Sequence, residues 1–401
     1  MRPFPRDRGH RRLAVLALAL ALAAAAGAAP TGFGGPTTTY LTASGDVETG
    51  RICGDEVIPP AVCGLIPNGA VSVAIGDIDS DGHRDVVATR IDGPARLCLN
   101  DGQNVFTCQD IFTAQPGMEL VAVGDLDLNG RLDVVLGLQA GPVLPQVQIC
   151  FNFDGTLFFC GHLDDLIPFQ PSGLSVGDVD NDGAPDLLVS RSHDPSVACL
   201  NDGEGTIAVC SDLPHDPDSL TGVGVLADLD RDGNLDAVLP TWELGVVPRD
   251  RVCRGNGAGA FSCSDVGETG TSHWRVAAGD VDGNGHPDLV FAGNGSRFCP
   301  GDGSGSFPLC FPIASQVEIT ASVAVADLDG DGRAEAAFGS AEQPNHLCRF
   351  LAYGPGGEPQ FDCLSFDPAF TSRVDLALWT PWIFQDGFES GDTSRWSTAV
   401  Q

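Results

Sequence analysis

A nine-residue pattern rich in aspartate recurs six times along the 401-residue chain, and no other feature constrains the fold as strongly. The pattern reads D-x-[DN]-x-[DN]-G-x-x-[DE], and successive copies begin 48, 53, 50, 52 and 47 residues apart. A period near 50 residues fits one four-stranded blade of a β-propeller. The 51 Gly and 28 Pro residues also favour many turns and short strands over long helices. We therefore expect an all-β repeat protein.

Each copy presents side-chain oxygen ligands at positions 1, 3, 5 and 9, and a backbone carbonyl at position 7 can join them. The Gly at position 6 permits the sharp turn that brings these atoms to one point. Five or six hard oxygens completed by water are typical of calcium, so the pattern predicts about six bound Ca2+ ions. Carboxylates held this close would repel one another without a cation. The candidate ligands, five per copy in the order of positions 1, 3, 5, 7 and 9, are Asp77, Asp79, Asp81, His83, Asp85; Asp125, Asp127, Asn129, Arg131, Asp133; Asp178, Asp180, Asp182, Ala184, Asp186; Asp228, Asp230, Asp232, Asn234, Asp236; Asp280, Asp282, Asn284, His286, Asp288; and Asp327, Asp329, Asp331, Arg333, Glu335.

The pattern differs from an EF-hand at position 12, where an EF-hand needs a bidentate Glu. Every copy here has an apolar residue at that position, and most of these residues continue a β-like run. Each loop is therefore expected to join two strands. A turn without metal is the alternative, and it is strongest for the copies with Asn129 or Asn284 at position 5 or Glu335 at position 9. The position-12 residues are Ala88, Leu136, Val189, Leu239, Phe291 and Phe338.

These segments resemble the FG-GAP/VCBS repeat family, whose calcium-loop blades also occur in the propeller head of integrin α chains. The resemblance covers about residues 70–345. It implies a β-propeller with calcium in the loop between the first two strands of a blade, and roles in adhesion or ligand capture. The Gly-Ala-Pro element that names the family is absent, and Val-Leu-Gly-Leu at 135–138 and Ala-Phe-Gly-Ser at 337–340 occupy its region.

Fourteen cysteines recur with similar regularity, and such a number is sustained in an oxidising compartment or around metal. Most gaps between neighbouring cysteines contain a turn signal such as Asn100-Asp101-Gly102. Each pair therefore predicts the two ends of one hairpin, within disulfide reach. Closing such a loop contributes about 2–3 kcal/mol in the chain-entropy account. The expected pairs are Cys53/Cys63, Cys98/Cys108, Cys150/Cys160, Cys199/Cys210, Cys253/Cys263, Cys299/Cys310 and Cys348/Cys363.

The cysteine pairs outnumber the calcium loops by one, which suggests a seventh blade built from both chain ends. Cys53/Cys63 has no loop before it, whereas Val374–Leu378 looks like a first strand with no hairpin after it. We expect Val374–Leu378 and Trp382–Phe384 to give the two inner strands of this blade, and residues 50–66 the two outer strands. Such pairing would leave no open seam in the ring. Six blades with an N-terminal disulfide arm are the alternative.

The first residues predict an export signal, with a basic start at 2–12, an apolar run at 13–26 and a small-x-small site at 26–28. The run is shorter than the roughly 20 residues that cross a bilayer, although a signal anchor is the alternative. We expect a signal peptide at 1–28, a single propeller domain at 29–388 and a tail at 389–401. The tail is either a frayed closing segment or a sorting tag. The protein should be secreted, periplasmic or on the cell surface, and the absence of Lys indicates GC-rich coding and a bacterial source.

The formal net charge of −33 argues against nucleic acid or an anionic membrane as a partner, since both require a positive surface. No second apolar stretch approaches the length of a membrane span. The expected partner is an extracellular protein or glycan, and the expected state is a monomer. Trp242 and Trp274 are candidates for sugar contacts from loops, although a packing role is favoured for both.

We expect a non-catalytic calcium-binding platform for adhesion or ligand capture. A secreted polysaccharide lyase or hydrolase with a site on the propeller axis, and a purely structural envelope protein, are the alternatives. Gly173–Gly177 matches G-x-S-x-G, but the segment leads into a calcium loop and not a helix, so the nucleophile-elbow geometry is not expected at Ser175.

Overall fold

The structure is a computed structural model of the whole chain. It describes residues 41–44, 50–54, 62–66, 70–90, 93–102, 105–111, 118–138, 146–163, 170–214, 220–242, 249–267, 270–313, 317, 319–340, 344–367 and 376–379. The expected signal peptide at 1–28, the tail at 389–401 and the expected strand at Trp382–Phe384 lie outside these residues.

Thirty β-strands account for the regular structure of the described residues, so the chain is all-β as expected. Most are three to seven residues long, as the Gly- and Pro-rich composition predicts. In chain order they are β1 Leu41–Ser44, β2 Gly50–Gly54, β3 Val62–Ile66, β4 Val73–Gly76, β5 Asp85–Ala88, β6 Arg96–Asn100, β7 Phe106–Asp110, β8 Leu120–Gly124, β9 Asp133–Gly137, β10 Val147–Asn152, β11 Phe158–His162, β12 Pro171–Gly177, β13 Asp186–Arg191, β14 Val197–Asn201, β15 Ile207–Asp212, β16 Leu220–Thr221, β17 Val225–Ala227, β18 Asp236–Leu239, β19 Thr241–Trp242, β20 Arg251–Gly255, β21 Phe261–Asp265, β22 His273–Gly279, β23 Asp288–Gly293, β24 Arg297–Cys299, β25 Phe311–Pro312, β26 Ser322–Ala326, β27 Glu335–Gly339, β28 Asn345–Tyr353, β29 Pro359–Asp367 and β30 Leu376–Trp379.

Six four-stranded sheets follow one another along the chain, each with its strands antiparallel and in sequence order. We number them sheet 1 (β4–β7), sheet 2 (β8–β11), sheet 3 (β12–β15), sheet 4 (β17, β18, β20 and β21), sheet 5 (β22–β25) and sheet 6 (β26–β29). The short strands β16 and β19 form a separate pair beside sheet 4. In every numbered sheet the Asp-rich loop joins the first strand to the second, as expected, and its ninth residue begins the second strand.

A further four-stranded sheet, here called the terminal sheet, is formed by strands from both ends of the described chain. Its order is β3-β2-β1-β30, and Leu41 of β1 pairs with Trp379 of β30. The expectation that the two ends share a sheet is therefore confirmed. The expectation that both inner strands come from the C-terminal side was wrong, because Leu41–Ser44 lies between β30 and β2. Three strands of this sheet thus come from the N-terminal side of the chain, and a single strand comes from the C-terminal side.

The core lies between successive sheets, which explains why the first strands read as almost continuous apolar runs. Strand β9 is buried along its whole length, whereas the outer strand β7 alternates between half-buried and exposed residues. Val87 of sheet 1 packs in one cluster with Val123 of sheet 2. Equivalent clusters join sheets 2 and 3, 3 and 4, 4 and 5, and 5 and 6. Each fully buried Val or Leu contributes about 1.5–3 kcal/mol, so these interfaces provide most of the stabilisation.

The first strand of each numbered sheet contacts the first strand of the next, from β4 through β8, β12, β17 and β22 to β26. Strand β30 of the terminal sheet contacts both β26 and β4. Each of these seven strands, the six first strands and β30, therefore contacts two of the others.

Disulfides join the third strand of each numbered sheet to the fourth strand or, in sheet 5, to Cys310 directly before it, and the paired cysteines lie 3.8–4.2 Å apart at Cα. Six of the expected pairings are thereby confirmed. Cys53 is opposite Cys63 in the register of β2 and β3, but their side chains are not among those that the structure describes. The six bonds are Cys98–Cys108, Cys150–Cys160, Cys199–Cys210, Cys253–Cys263, Cys299–Cys310 and Cys348–Cys363.

Two tryptophans expected in loops lie in strands instead. Trp242 ends β19, and Trp274 is the second residue of β22. The Trp274 indole is half-buried, and its Nε1 donates a hydrogen bond to the carbonyl of Thr320 at 2.7 Å. These positions favour the packing role. Within the described residues, no helix has the length and apolar character required to cross a membrane.

Candidate metal centres

The six Asp-rich loops share one backbone conformation, and we number them with their sheets as loops 1–6. The residue at position 2 is apolar and buried in all six, which anchors the loop to the core below. The residue at position 4 has positive φ in all six, and Gly occupies it in loops 5 and 6. Position 6 is a Gly with φ between 84° and 95° in all six loops, where any side chain would be strained. The position-2 residues are Ile78, Leu126, Val179, Leu229, Val281 and Leu328.

The side-chain oxygens at positions 1, 3 and 5, which include the amide oxygens of Asn129 and Asn284 at position 5, are held by backbone amides of their own loop. In loop 1, Asp77 Oδ1 accepts a hydrogen bond from the amide of Asp81, and Asp77 Oδ2 accepts one from the amide of Gly82, both at 3.1 Å. Asp81 Oδ1 accepts a hydrogen bond from the amide of His83 at 2.8 Å. The other five loops repeat this pattern. The oxygens are therefore oriented by the fold.

The carboxylate at position 9 connects each of the first five loops to the third strand of its sheet. Asp85 Oδ2 accepts a hydrogen bond from the amide of Ile78 at 2.8 Å, and Asp85 Oδ1 accepts one from the amide of Asn100 at 2.9 Å. Loops 2–5 have the same two bonds. Through these two hydrogen bonds, the fully buried Asp85 fixes both the loop and the end of β6.

Three carboxylates converge in each of the first five loops, with one oxygen of each within 4.8 Å of the others. In loops 1, 2, 3 and 5 they are the residues at positions 1, 3 and 9, and in loop 4 they are Asp228, Asp230 and Asp232. All donors are hard oxygens, the ligand type that divalent cations such as calcium prefer. These residues could therefore hold a metal ion.

Burial raises the pKa of every position-9 carboxyl, and neighbouring carboxylates in the same loop add to the shift. The pKa of Asp85 rises to about 6, and the pKa values of Asp133, Asp186, Asp236 and Asp288 rise to about 7. The pKa of Glu335 rises to about 8 for the same reasons. A buried carboxylate is therefore costly here unless a cation accompanies it.

The side chains at position 7 do not join the carboxylate clusters as a set. The backbone amide of each position-7 residue donates a hydrogen bond to the side-chain oxygen at position 5, as that of His83 does. Two of the side chains contact neighbouring loops instead. Arg131 donates to the carbonyl of Asp79 in loop 1 at 3.2 Å, and Asn234 accepts from Asn181 at 2.7 Å. The expectation that position 7 contributes through its backbone stays a prediction.

Loop 6 differs from the others because an arginine enters it. Arg349 of β28 forms ion pairs with Asp329 and Asp331 at 2.8 and 2.5 Å. The four expected carboxylate ligands of loop 6 are thus accompanied by a cation that the protein itself supplies.

Sequence reasoning missed asparagines that join neighbouring sheets. The Asn152 amide Nδ2 donates to the carbonyls of Leu132 in its own sheet and Ile78 in loop 1, at 3.0 and 2.8 Å. Asn201 Nδ2 likewise donates to Pro185 and to Leu126 of loop 2, at 2.9 and 2.7 Å. The sequence does contain a signal for these residues, because each of the two asparagines lies two residues after the first cysteine of a pair. Asn201 was interpreted only as part of a turn.

Residues 61–136 and 178–239 match the profile of the FG-GAP-like repeat family, and these segments contain loops 1–4. These two segments are FG-GAP-like repeats. The resemblance identified from the Asp pattern is thereby confirmed over these residues. No curated protein matches the chain significantly.

Two solved structures are similar to the chain at low sequence identity. A lectin of Agrocybe aegerita, studied for its specific recognition of non-reducing terminal N-acetylglucosamine, superposes with a TM-score of 0.60 at 17% identity. The match covers 86% of this chain and 95% of the lectin chain. BBS1N in its complex with ARL6DN matches at a TM-score of 0.48 and 9% identity, over 78% of this chain and 90% of its own. At 17% identity, the similarity to the lectin indicates a shared fold alone.

Proposed function

We propose that this protein is a calcium-stabilised, seven-bladed β-propeller that acts outside the cytoplasm as a non-catalytic binding platform for a glycan or protein ligand. The observation that carries the proposal is the convergence of three carboxylates in each of loops 1–5, at equivalent places in successive sheets. The sheets would be the blades, and the terminal sheet would be the seventh.

The succession of inner strands supports a closed ring. Strand β30 contacts β26 on one side and β4 on the other, and every first strand contacts the next. A ring of this kind leaves only short, protected sheet edges, and the pairing of Leu41 with Trp379 would join its two ends. The propeller is therefore the architecture that best accounts for the neighbour relationships.

Calcium is the cation that best fits loops 1–5. The donors are all oxygens, they are preoriented by backbone amides, and three carboxylates offset the charge of a divalent ion. Residues such as Asp77, Asp79 and Asp85 would hold the ion in loop 1, and the ion would remove the repulsion among them. Its contribution would be stability and a fixed loop, with no chemical step.

The disulfides support export, because six of them in one chain persist in an oxidising compartment. The N-terminal 28 residues, with their basic start and short apolar run, would be the signal that directs it. The excess of negative charge favours a neutral ligand or a cationic protein surface over a polyanion.

An exposed apolar cluster on the outer hairpin of sheet 2 is the best candidate for a contact surface. Phe153, Leu157 and Phe159 are 63%, 60% and 65% exposed, and the amide of Phe153 donates to the carbonyl of Leu157 across the hairpin. Three large apolar side chains exposed together often mark a binding surface. The lectin with the same fold makes a glycan ligand the first to examine.

The test has a metal arm and a ligand arm. Purified protein should bind about one calcium for each of loops 1–5, and chelation should lower its melting temperature, because a ligand specific to the folded state stabilises it. An unchanged melting temperature would count against calcium. A glycan array that includes N-acetylglucosamine-terminated sugars, read with and without chelator, tests the ligand class.

A matched pair of variants distinguishes a specific binding surface from non-specific hydrophobic adsorption. Phe159→Ser should weaken binding to any array hit, whereas Leu309→Ser, which removes an apolar side chain that is 62% exposed in the segment between β24 and β25, should not. Equal losses in both variants would count against the hairpin surface.

The non-catalytic assignment is supported by the setting of Ser175. The residue lies in β12, is buried, and its Oγ donates to the carbonyl of Gly224 at 2.9 Å. The serine of a G-x-S-x-G nucleophile elbow is exposed on a sharp strand-to-helix turn, and Ser175 is not in such a position. Turnover of any polysaccharide by the purified protein would replace this proposal with the enzyme alternative.

A further inference from the structure

One arginine contacts most of the carboxylates of loop 6. Arg349 Nη2 lies 2.8 Å from Asp329 Oδ2 and 2.5 Å from Asp331 Oδ2, and Arg349 Nε lies 3.7 Å from Glu335 Oε1. These three acids are positions 3, 5 and 9 of the loop. The Arg349 side chain is 19% exposed, and the side chains of Asp329 and Glu335 are 10% and 0% exposed, so these two contacts are largely shielded from water, whereas Asp331 is 37% exposed. Ion pairs in such a setting are screened much less than surface pairs.

Position 9 of loop 6 also departs from the pattern of the other loops. Glu335 Oε2 accepts a hydrogen bond from the amide of Leu328 at 2.8 Å, as its Asp counterparts do. The second oxygen differs, because Asp85 and its equivalents accept an amide of the third strand, whereas Glu335 Oε1 has no hydrogen-bond partner in the structure. Glu335 is fully buried, and Arg349 is the cation beside this oxygen.

An arginine at the position of Arg349 in the third strand does not always reach the Asp-rich loop of its sheet. Arg349 directly follows the first cysteine of its pair, and Arg254 occupies the same position in sheet 4. The Arg254 guanidinium donates instead to the carbonyl of Ser304 and to Ser306 Oγ, in sheet 5. Sheet 4 therefore supplies a natural comparison, in which the arginine is present but is bonded away from Asp228 and Asp232.

A calcium ion in loop 6 and the Arg349 guanidinium would compete for the same carboxylate oxygens. A calcium ion in loop 6 would need Asp329, Asp331 and Glu335 as ligands, and the guanidinium already lies against all three. A divalent ion placed among them would also meet the positive charge of Arg349 at short range, and in a shielded site that repulsion is large. Loop 6 thus fits a metal ion poorly, in contrast to loops 1–5.

We propose that Arg349 is the resident cation of loop 6, so that this loop keeps its conformation without calcium while loops 1–5 depend on the ion. The inference rests on the proposed calcium binding of the other loops, and it corrects the sequence-based expectation of a sixth ion. Sheet 6 adjoins the terminal sheet, since β26 contacts β30. The loop of a sheet that adjoins the terminal sheet would therefore keep its conformation when calcium is scarce.

Hydrogen exchange read by mass spectrometry resolves the loops individually. The full-length protein is compared with calcium and after chelation, in peptides that cover residues 178–186, 228–236 and 327–335. Chelation should raise amide exchange in loops 3 and 4 by about tenfold or more, as expected where protection is linked to a bound ligand. In the wild-type protein, loop 6 should exchange equally with and without calcium. Chelator sensitivity of loop 6 equal to that of loops 3 and 4 would overturn the inference.

The variant Arg349→Gln supplies the second arm, with Arg254→Gln as its matched control. R349Q should make loop 6 sensitive to chelation and raise the calcium content by about one equivalent, because the carboxylates then lack their internal cation. R254Q should leave the calcium content and loop 6 unchanged. A folded R349Q whose loop 6 stays insensitive and whose calcium content is unchanged would overturn the inference. If instead no loop of the wild-type protein responds to chelation, the proposed calcium binding fails, and this inference fails with it.

Discussion

The Asp186 carboxylate accepts a hydrogen bond from the backbone amide of Asn201 at 2.8 Å, and the Asn201 side chain donates to the carbonyl of Leu126 in the preceding repeat. One buried acid is thereby connected to its own third strand and, through a single asparagine, to the neighbouring loop. Because the equivalent residues recur in sheet 2, the candidate metal loops and the packing of successive sheets are coupled. A change at a loop should therefore be measurable as a change in the stability of the fold.

Asp186→Ala should be strongly destabilising. It leaves the amides of Val179 and Asn201 without their acceptor, and each buried unsatisfied group costs about 1–3 kcal/mol. We expect a loss of about 2–4 kcal/mol in the free energy of unfolding, measured by denaturant titration. Asp202→Ala is the control, because Asp202 accepts amides only at an exposed hairpin and should cost much less. Equal losses would mean that the buried bonds are unimportant.

Asn201→Ala should destabilise the protein more than Asn100→Ala. The Asn201 side chain donates to two buried carbonyls, one of them in the neighbouring sheet, at 2.7 and 2.9 Å. The Asn100 side chain donates to Arg84 of its own sheet at 3.2 Å. We expect a difference of about 1–2 kcal/mol in unfolding free energy between the two variants. If N100A costs as much as N201A, the bond between sheets adds nothing.

Features that are local in sequence were predicted well. Asp77 and Asp85 lie eight positions apart, and Cys98 and Cys108 ten, so spacing alone placed each loop between two strands and each pair across a hairpin. Short-range spacing is informative because turn chemistry and strand register fix these contacts.

Contacts between distant segments were not predictable in the same way. Leu41–Ser44 pairs with β30 although the two strands are separated by most of the chain, and its four residues have no distinctive pattern. Arg349 enters loop 6 from the third strand, while Arg254 at the matching position does not. Such choices depend on which neighbours are close in three dimensions, and a single sequence does not record them.

Asp178→Ala should remove one calcium equivalent and leave the sheets folded. Asp178 supplies the first carboxylate of loop 3, and its two oxygens accept the amides of Asp182 and Gly183. Loss of this ligand affects loop 3 alone if the sites are independent. Atomic analysis of the dialysed protein measures the calcium content, and far-ultraviolet circular dichroism measures the strand content. Asp154→Ala, an exposed change in the sheet 2 hairpin, should leave both unchanged. Loss of all calcium in D178A would show that the sites are linked.

The stability of the calcium-free protein should fall as the pH rises from 5 to 8. Burial raises the pKa values of Asp133, Asp186 and Asp288 to about 7, well above the value of about 4 in an unfolded chain. A carboxyl with a raised folded-state pKa stabilises the fold fully below pH 4 and loses that contribution as the pH passes through 7.

Saturating calcium should suppress this loss, because the ion favours the ionised carboxylates. The calcium-induced rise in melting temperature should therefore increase between pH 5 and pH 8. Protein freed of metal by gel filtration, without chelator, avoids the pH dependence of the chelator itself. The measurement is a set of thermal melts across this range, with and without calcium. A calcium-free melting temperature that is constant or rises with pH would contradict the role assigned to the position-9 carboxyls.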